Sequence, residues 1–395
     1  MKAAHAARAG LPRRVREGLL YCLKVFLAVR VGLLVLALLG VGLIPALEPA
    51  SVPGWAAHPA TDPGWHNLFT AWERFDGLWF LRIAADGYRV SDGSAAFFPL
   101  YPIAIRIVSW GIGGHAFAAA LVVSNLSFLV AMCVLYFLTA SELSEGAARR
   151  TILYLAIFPT SFFFFAPYSE SLFLLLAVSS LWAARRGRWG LAGALGALAA
   201  LTRSVGLVLL PALAVEAVHQ RKVDCEPLMP RLLASSLVGV GTLAYLAYWG
   251  LRTGDLLAPI HQQANWERVA AGPWGSLIEG TKMAFRYPGQ YPGAYWLLDW
   301  LIVVAVLAAA IFALVRFRPG YTVYLWAGLV LPLSFVFPGR PLMSLPRFVL
   351  PLFPVFWAMA VAVERGRIPH EALVAVGSAG LGLLTVLYVN WYYIF

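Results

Sequence analysis

Long apolar runs recur along almost the whole chain, and they constrain it more than any other feature. Runs of full membrane-spanning length lie at 19–44, 116–140, 231–252, 293–315 and 371–393. About 20 apolar residues in a helix match the hydrocarbon thickness of a bilayer, where backbone hydrogen bonds must be made within the segment. The expected fold class is therefore an all-α polytopic membrane protein. Further runs at 149–166, 169–185, 189–202, 205–219, 320–338 and 346–364 bring the expected count to about eleven transmembrane helices, of which 189–202 and 205–219 are short for spanning helices. The pair 189–202 and 205–219 would meet at a partly submerged turn at Thr202-Arg203-Ser204. The charged fraction is 12%, about half that of a soluble domain.

The run 97–112 is short and contains Pro99, Pro102 and Arg106. The positive-inside rule decides whether it crosses. If it stays on one side and the N-terminus is cytoplasmic, the basic loops fall together on the cytoplasmic side. These are Arg149-Arg150, Arg185-Arg186-Arg188, Arg221-Lys222-Arg231, Arg316-Arg318 and Arg365-Arg367. If it crossed, every later loop would change sides and that bias would be scrambled. The net charge of +11 thus reads as topology, and nucleic acid is not an expected partner. The basic N-terminal tail leads into a run too long for a signal-peptide core, so an uncleaved first span is expected. Cys22, Cys133 and Cys225 are dispersed and indicate neither a disulfide framework nor a metal cluster.

This topology makes residues 1–395 one membrane domain with two large external intervals, 45–115 and 253–292. The unusual polar residues gather on the external side: Asp76, Glu170, Arg203, His261, Arg340 and, at a border, Arg347. Charge near hydrocarbon is retained mostly where a cavity or partner compensates it, so one external site is expected. Within the first interval, Trp72 to Tyr88 shows helical spacing of Trp72, Phe75, Trp79, Phe80 and Ile83, with Glu73, Asp76 and Arg82 lining much of the rest. It is expected to be an amphipathic interfacial helix, its rings in the headgroup zone and Asp76 above the membrane surface; taken alone, the helix reads as an amphipathic re-entry helix whose charges are merely solvated.

Several blocks in order resemble the PIG-V-like mannosyltransferases of the GT-C superfamily. They are Trp72 to Tyr88; Phe97-Phe98-Pro99-Leu100-Tyr101-Pro102; Phe158-Pro159-Thr160-Ser161 followed by Ala166-Pro167-Tyr168-Ser169-Glu170-Ser171; Thr202-Arg203-Ser204-Val205-Gly206; Gly254-Asp255-Leu256 through His261, Trp266 and Pro273-Trp274; and Leu345-Pro346-Arg347-Phe348. One departure is Phe75-Asp76, where the family usually has Trp-Asp; the carboxylate is kept. The resemblance implies a GT-C fold and a polyprenyl-phosphate sugar donor, mannose foremost, used on the non-cytoplasmic side. The acceptor would be a glycolipid or glycan, and the surroundings membrane lipids. The composition points to a prokaryotic plasma membrane, so the acceptor of the eukaryotic relatives is not carried over.

A lipid-phosphate leaving group needs electrostatic stabilisation rather than a strong acid, whereas the acceptor hydroxyl needs a base. Asp76 is the expected general base, with a salt bridge to Arg74 or Arg82 as its alternative. Glu170 is a second carboxylate, or a helix cap. Arg203, Arg340 and Arg347 suit a lipid phosphate, and His261 the donor phosphate or sugar. Their alternatives are an ion pair of Arg203 with Glu170, snorkelling of Arg340 and Arg347, and a structural role for His261. Trp72, Glu73, Trp79, Arg82 and Tyr168 are expected at the acceptor or interfacial side. No cofactor is indicated, and a divalent metal is left open. A lipid-linked-sugar flippase is the alternative class, but it would place ionisable groups deep in several spans.

Overall fold

A computed structural model describes residues 2–56, 64–90, 92–224, 227–262, 269–286, 288–290 and 293–394. Cys225 and Trp266 lie outside the described residues. Helices dominate: α1 (Lys2–Leu43), α2 (Asn67–Thr70), α3 (Asp76–Asp86), α4 (Leu100–Gly111), α5 (Ala116–Glu142), α6 (Glu145–Ile157), α7 (Glu170–Arg185), α8 (Trp189–Thr202) and α9 (Leu209–Asp224). They continue as α10 (Leu228–Thr253), α11 (Ala258–His261), α12 (Gly272–Arg286), α13 (Gly293–Leu314), α14 (Pro319–Leu333), α15 (Leu345–Phe348), α16 (Pro354–Glu364) and α17 (His370–Val389). Sheet among the described residues is confined to two antiparallel pairs, Ser51–Val52 with Trp55–Ala56 and Val269–Ala270 with Phe335–Val336.

Among the described residues, five helices are individually long and apolar enough to cross a membrane: α1 from Arg13, α5, α10, α13 and α17. The other expected spans coincide with shorter helices, several of them interrupted. The run 149–166 is α6 followed by a 3-10 turn at Ser161–Phe164, and 346–364 is split between α15 and α16. α8 ends at Thr202, and a 3-10 turn at Ser204–Val208 leads into α9, so the expected turn lies at Arg203. Small residues let these short helices pack tightly. A Cβ at Gly241 of α10 would run into the backbone of Ala197 in α8, so only glycine permits that approach.

Two helices of the 45–115 interval frame the site. α4 is about 18 Å long at 1.5 Å per residue, too short to cross alone. It presents Ile103, Ile107 and Trp110 outward. α3 is shorter than expected. It begins at Asp76 rather than Trp72, because Phe75 takes φ 50° and ψ −123°, which ends any helical path from Trp72. Trp72 and Phe75 therefore leave the expected aromatic face. Trp72 packs on Phe165 and Tyr388 instead, with ring centroids 4.5 and 6.2 Å apart. Nor are the charges of this stretch merely solvated, since Glu73, Arg74 and Arg82 are all buried.

Candidate active site

The stretch between α6 and α7, which carries the 3-10 turn at Ser161–Phe164, is the hub around which the charged residues assemble. Its backbone turns at Pro159 and Pro167, and its polar groups are spent on neighbours. Thr160 Oγ1 donates to the Pro346 carbonyl at 2.9 Å, tying it to α15. Tyr168 Oη donates to the Arg74 carbonyl at 3.2 Å, tying it to the turn before α3. Ser124 of α5 donates to the Tyr168 carbonyl at 3.1 Å and pairs with Tyr101 of α4 at 2.7 Å. α3 starts hard against this hub: a Cβ at Gly77 would lie 2.9 Å from Pro167 Cγ.

Four charged side chains converge there from four separate elements. Arg347, on α15, donates from Nη1 to Asp76 Oδ2 at 2.5 Å and from Nε to Glu170 Oε1. Arg203, just past α8, donates from Nη1 to the same Glu170 Oε1 at 2.5 Å and to Ser169 Oγ at 3.1 Å. The guanidinium of Arg347 also lies over the rings of Tyr168 and Phe163, at 4.5 and 5.1 Å, and Arg203 lies over Phe348 at 5.4 Å. Two carboxylates thus face two guanidiniums, and aromatic faces close the remaining sides.

The two carboxylates are not equivalent. Glu170 is fully buried, with Oε1 shared by both arginines, while its Oε2 has no hydrogen-bond partner among the described residues. The Asp76 side chain is 31% exposed. Of the pair, Asp76 is the one an incoming hydroxyl would reach, and Glu170 is the buried countercharge that keeps both arginines in place. No three His, Cys, Asp or Glu side chains converge among the described residues. Asp76 pairs with Arg347 and not with Arg74 or Arg82, the partners expected as its alternative.

The structure separates the remaining expected site residues from this cluster. Arg340 forms a buried bidentate pair with Asp299 of α13, Nε–Oδ2 2.6 Å and Nη2–Oδ1 2.9 Å. His261 is largely exposed and pairs with Asp255 at 2.8 Å, whose carboxyl that bond holds below the usual range. Arg82 is paired with Asp92 at 2.6 Å. Glu73 accepts from Trp55 Nε1 at 2.8 Å. Trp79 stacks on Phe97 with centroids 5.5 Å apart.

Among the described residues, three buried charges escaped the sequence reading: Asp299, Arg30 and Glu216, the last inside the run 205–219 and paired with Arg185 and Arg318. Asp299 lies inside the run 293–315, and an acid within a span was itself a signal. Arg30 lies inside the first run, caged at 4.9–5.2 Å by Phe26, Phe128 and Phe165, and its nitrogens find no acceptor among the described residues.

Three comparisons bear on this arrangement. Residues 23–238, more than half of the chain, match the family model described as Mannosyltransferase (PIG-V), a span that includes Asp76, Glu170 and Arg203. The chain is 32% identical over 170 residues to GPI alpha-1,6-mannosyltransferase 2 of Cricetulus griseus, covering 40% of this chain and 34% of that protein. It is 39% identical over 90 residues to GPI mannosyltransferase 2 of Yarrowia lipolytica, covering 22% of this chain and 25% of that one. The match thus spans only a quarter to a third of these curated relatives. The crystal structure of ArnT from Cupriavidus metallidurans bound to undecaprenyl phosphate is similar in fold, with a TM-score of 0.52 at 16% identity, over 94% of this chain and 76% of that one. The likeness supports the expected GT-C-type helical fold.

Proposed function

Since the chain belongs to the PIG-V mannosyltransferase family, we propose that it is an inverting membrane glycosyltransferase. It moves a mannose from a polyprenyl-phosphate donor to a hydroxyl of a lipid-linked or cell-envelope acceptor on the non-cytoplasmic side. The observation that carries this reading is a reachable carboxylate, Asp76, set 2.5 Å from a buried arginine, Arg347. In the transfer, Asp76 takes the proton of the acceptor hydroxyl as its oxygen attacks the anomeric carbon. The bond from that carbon to the phosphate oxygen breaks, and both electrons leave with the phosphate. One displacement inverts the configuration without a sugar–enzyme intermediate.

Arg347 and Arg203 suit the charge that builds on the leaving phosphate, because guanidiniums stay ionised and bind oxygen pairs. Held by Glu170 before substrate arrives, they need little reorganisation when that charge develops. Further support comes from the fold shared with ArnT, which was solved with undecaprenyl phosphate bound. The test is transfer by the purified protein from polyprenyl-phosphate-mannose to a panel of glycolipid acceptors, with GDP-mannose in parallel. Transfer from the lipid donor alone is expected. Use of the nucleotide donor, or no transfer from the lipid donor to any acceptor, would overturn the reading.

A further inference from the structure

The turn that aims Asp76 is gripped by residues from the far end of the chain. Asp76 follows Phe75, whose φ of 50° is unfavourable for any residue with a Cβ and persists only where the surroundings impose it. Here the surroundings are the end of α17 and the segment just beyond it. The Phe75 ring sits among Tyr388, Trp391 and Tyr393, with centroids 5.7, 5.3 and 5.5 Å away, edge-on to the last two. The preceding residue is held by the same segment. Arg74 Nε donates to the Val389 carbonyl at 2.9 Å, and its guanidinium lies 4.6 Å over the Trp391 ring.

The gripping segment is itself tied down on several sides. Leu47 N–H donates to the Asn390 carbonyl at 3.0 Å, and Asn390 Nδ2 donates to the Gly40 carbonyl at 2.9 Å. Arg340, while paired with Asp299, also donates from Nη1 to the Tyr393 carbonyl at 3.3 Å. Trp391 takes a positive φ of 66°, a second strained residue facing the first. An aromatic socket anchored to α1, to the Asp299–Arg340 pair and to α17 thus holds both residues before the carboxylate.

We propose that residues 388–393 are a positioning clasp that keeps Phe75 in its strained turn and so sets the Asp76 carboxylate on Arg347. The proposal rests on the reading of Asp76 as the base. Trp391 and Tyr393 are positioning residues: they act through Phe75 and Arg74 and take no part in proton transfer.

The experiment compares Trp391→Ala, Tyr393→Ala and the ring-preserving Tyr393→Phe in the full-length purified protein, with Asp76→Asn alongside. Two quantities are read: transfer kinetics, and backbone hydrogen exchange in peptides covering 72–80 and 160–175. Small misplacements of a reacting group cost up to about 10²-fold. The Ala variants should therefore lose about 10–10²-fold in kcat with donor KM within roughly two-fold of wild type. Exchange should accelerate in 72–80 and stay unchanged in 160–175. Tyr393→Phe should behave as wild type. Unchanged exchange in 72–80 overturns the clasp, as does acceleration of both peptides together, which marks general loosening. Faster exchange in 72–80 with kcat unchanged overturns its catalytic meaning. An active Asp76→Asn then locates the failure in the base assignment rather than in the clasp.

Discussion

Replacing Asp76 with Asn separates chemistry from folding more sharply than any other single change at the site. The structural cost is small for a stated reason. Arg347 keeps its bond to Glu170, and the Asn side chain still offers Nη1 a carbonyl oxygen where Asp76 Oδ2 stood. No buried charge is stranded, so the loss should be about 1 kcal/mol rather than the roughly 3–5 kcal/mol of a broken buried pair. The chemical cost is large. An amide oxygen cannot take the acceptor proton, and loss of a general base slows turnover by about 10²–10⁴-fold. At about 1.36 kcal/mol per decade, the barrier rises by roughly 2.7–5.4 kcal/mol. The assay pairs the transfer rate from polyprenyl-phosphate-mannose with the melting temperature in detergent. A variant that melts within a few degrees of wild type, binds donor and does not transfer is expected. A stable variant with near-wild-type turnover would refute the assignment of the base.

Three further outcomes follow from the same geometry. Glu170→Gln removes the countercharge shared by Arg203 and Arg347, and should destabilise by about 3–5 kcal/mol, so thermal stability and yield should fall before any kinetic effect is read. Arg340→Ala strands the buried Asp299 carboxylate and should cost a similar amount, whereas Arg340→Met with Asp299→Leu should recover most of it; a stable Arg340→Ala protein with weakened donor binding would return Arg340 to the donor site. Arg186→Cys should resist an impermeant thiol reagent added outside intact cells, and labelling from outside would sink the eleven-span topology.

The sequence made some of this readable and hid the rest for physical reasons. Apolar run length located the five helices long enough to cross, because in a bilayer length and composition alone decide what can cross, but it did not locate α12 within the external interval 253–292. The shortness of 97–112 was equally plain, and α4 is a 12-residue helix. Asp76, Glu170, Arg203 and Arg347 stood out as charges beside apolar runs, and the structure brings these four together. Their pairing was not legible, since Asp76 and Arg347 lie 271 positions apart and nothing local links them. The start of α3 was misjudged because helical spacing records which rings recur, not where a backbone breaks. The break at Phe75 depends on Trp391 and Tyr393, more than 300 residues away. Asp299 and Arg340 likewise make sense only as a pair, and the chain order separates them.

Arg347 divides one guanidinium between a partly exposed and a buried carboxylate, and on the proposed function this sharing would make it a safety catch. While the catch is set, the Asp76 oxygen nearest Arg347 is occupied by a cation and is a poor acceptor for a stray water's proton. An anionic phosphate that reaches Arg347 competes for that same nitrogen, and Glu170, buried and doubly held, is the partner less able to let go. Asp76 would then be the carboxylate set free. On the proposed function, docking of a lipid phosphate and arming of the base would thereby become one event, and an empty site would stay disarmed by its own charges.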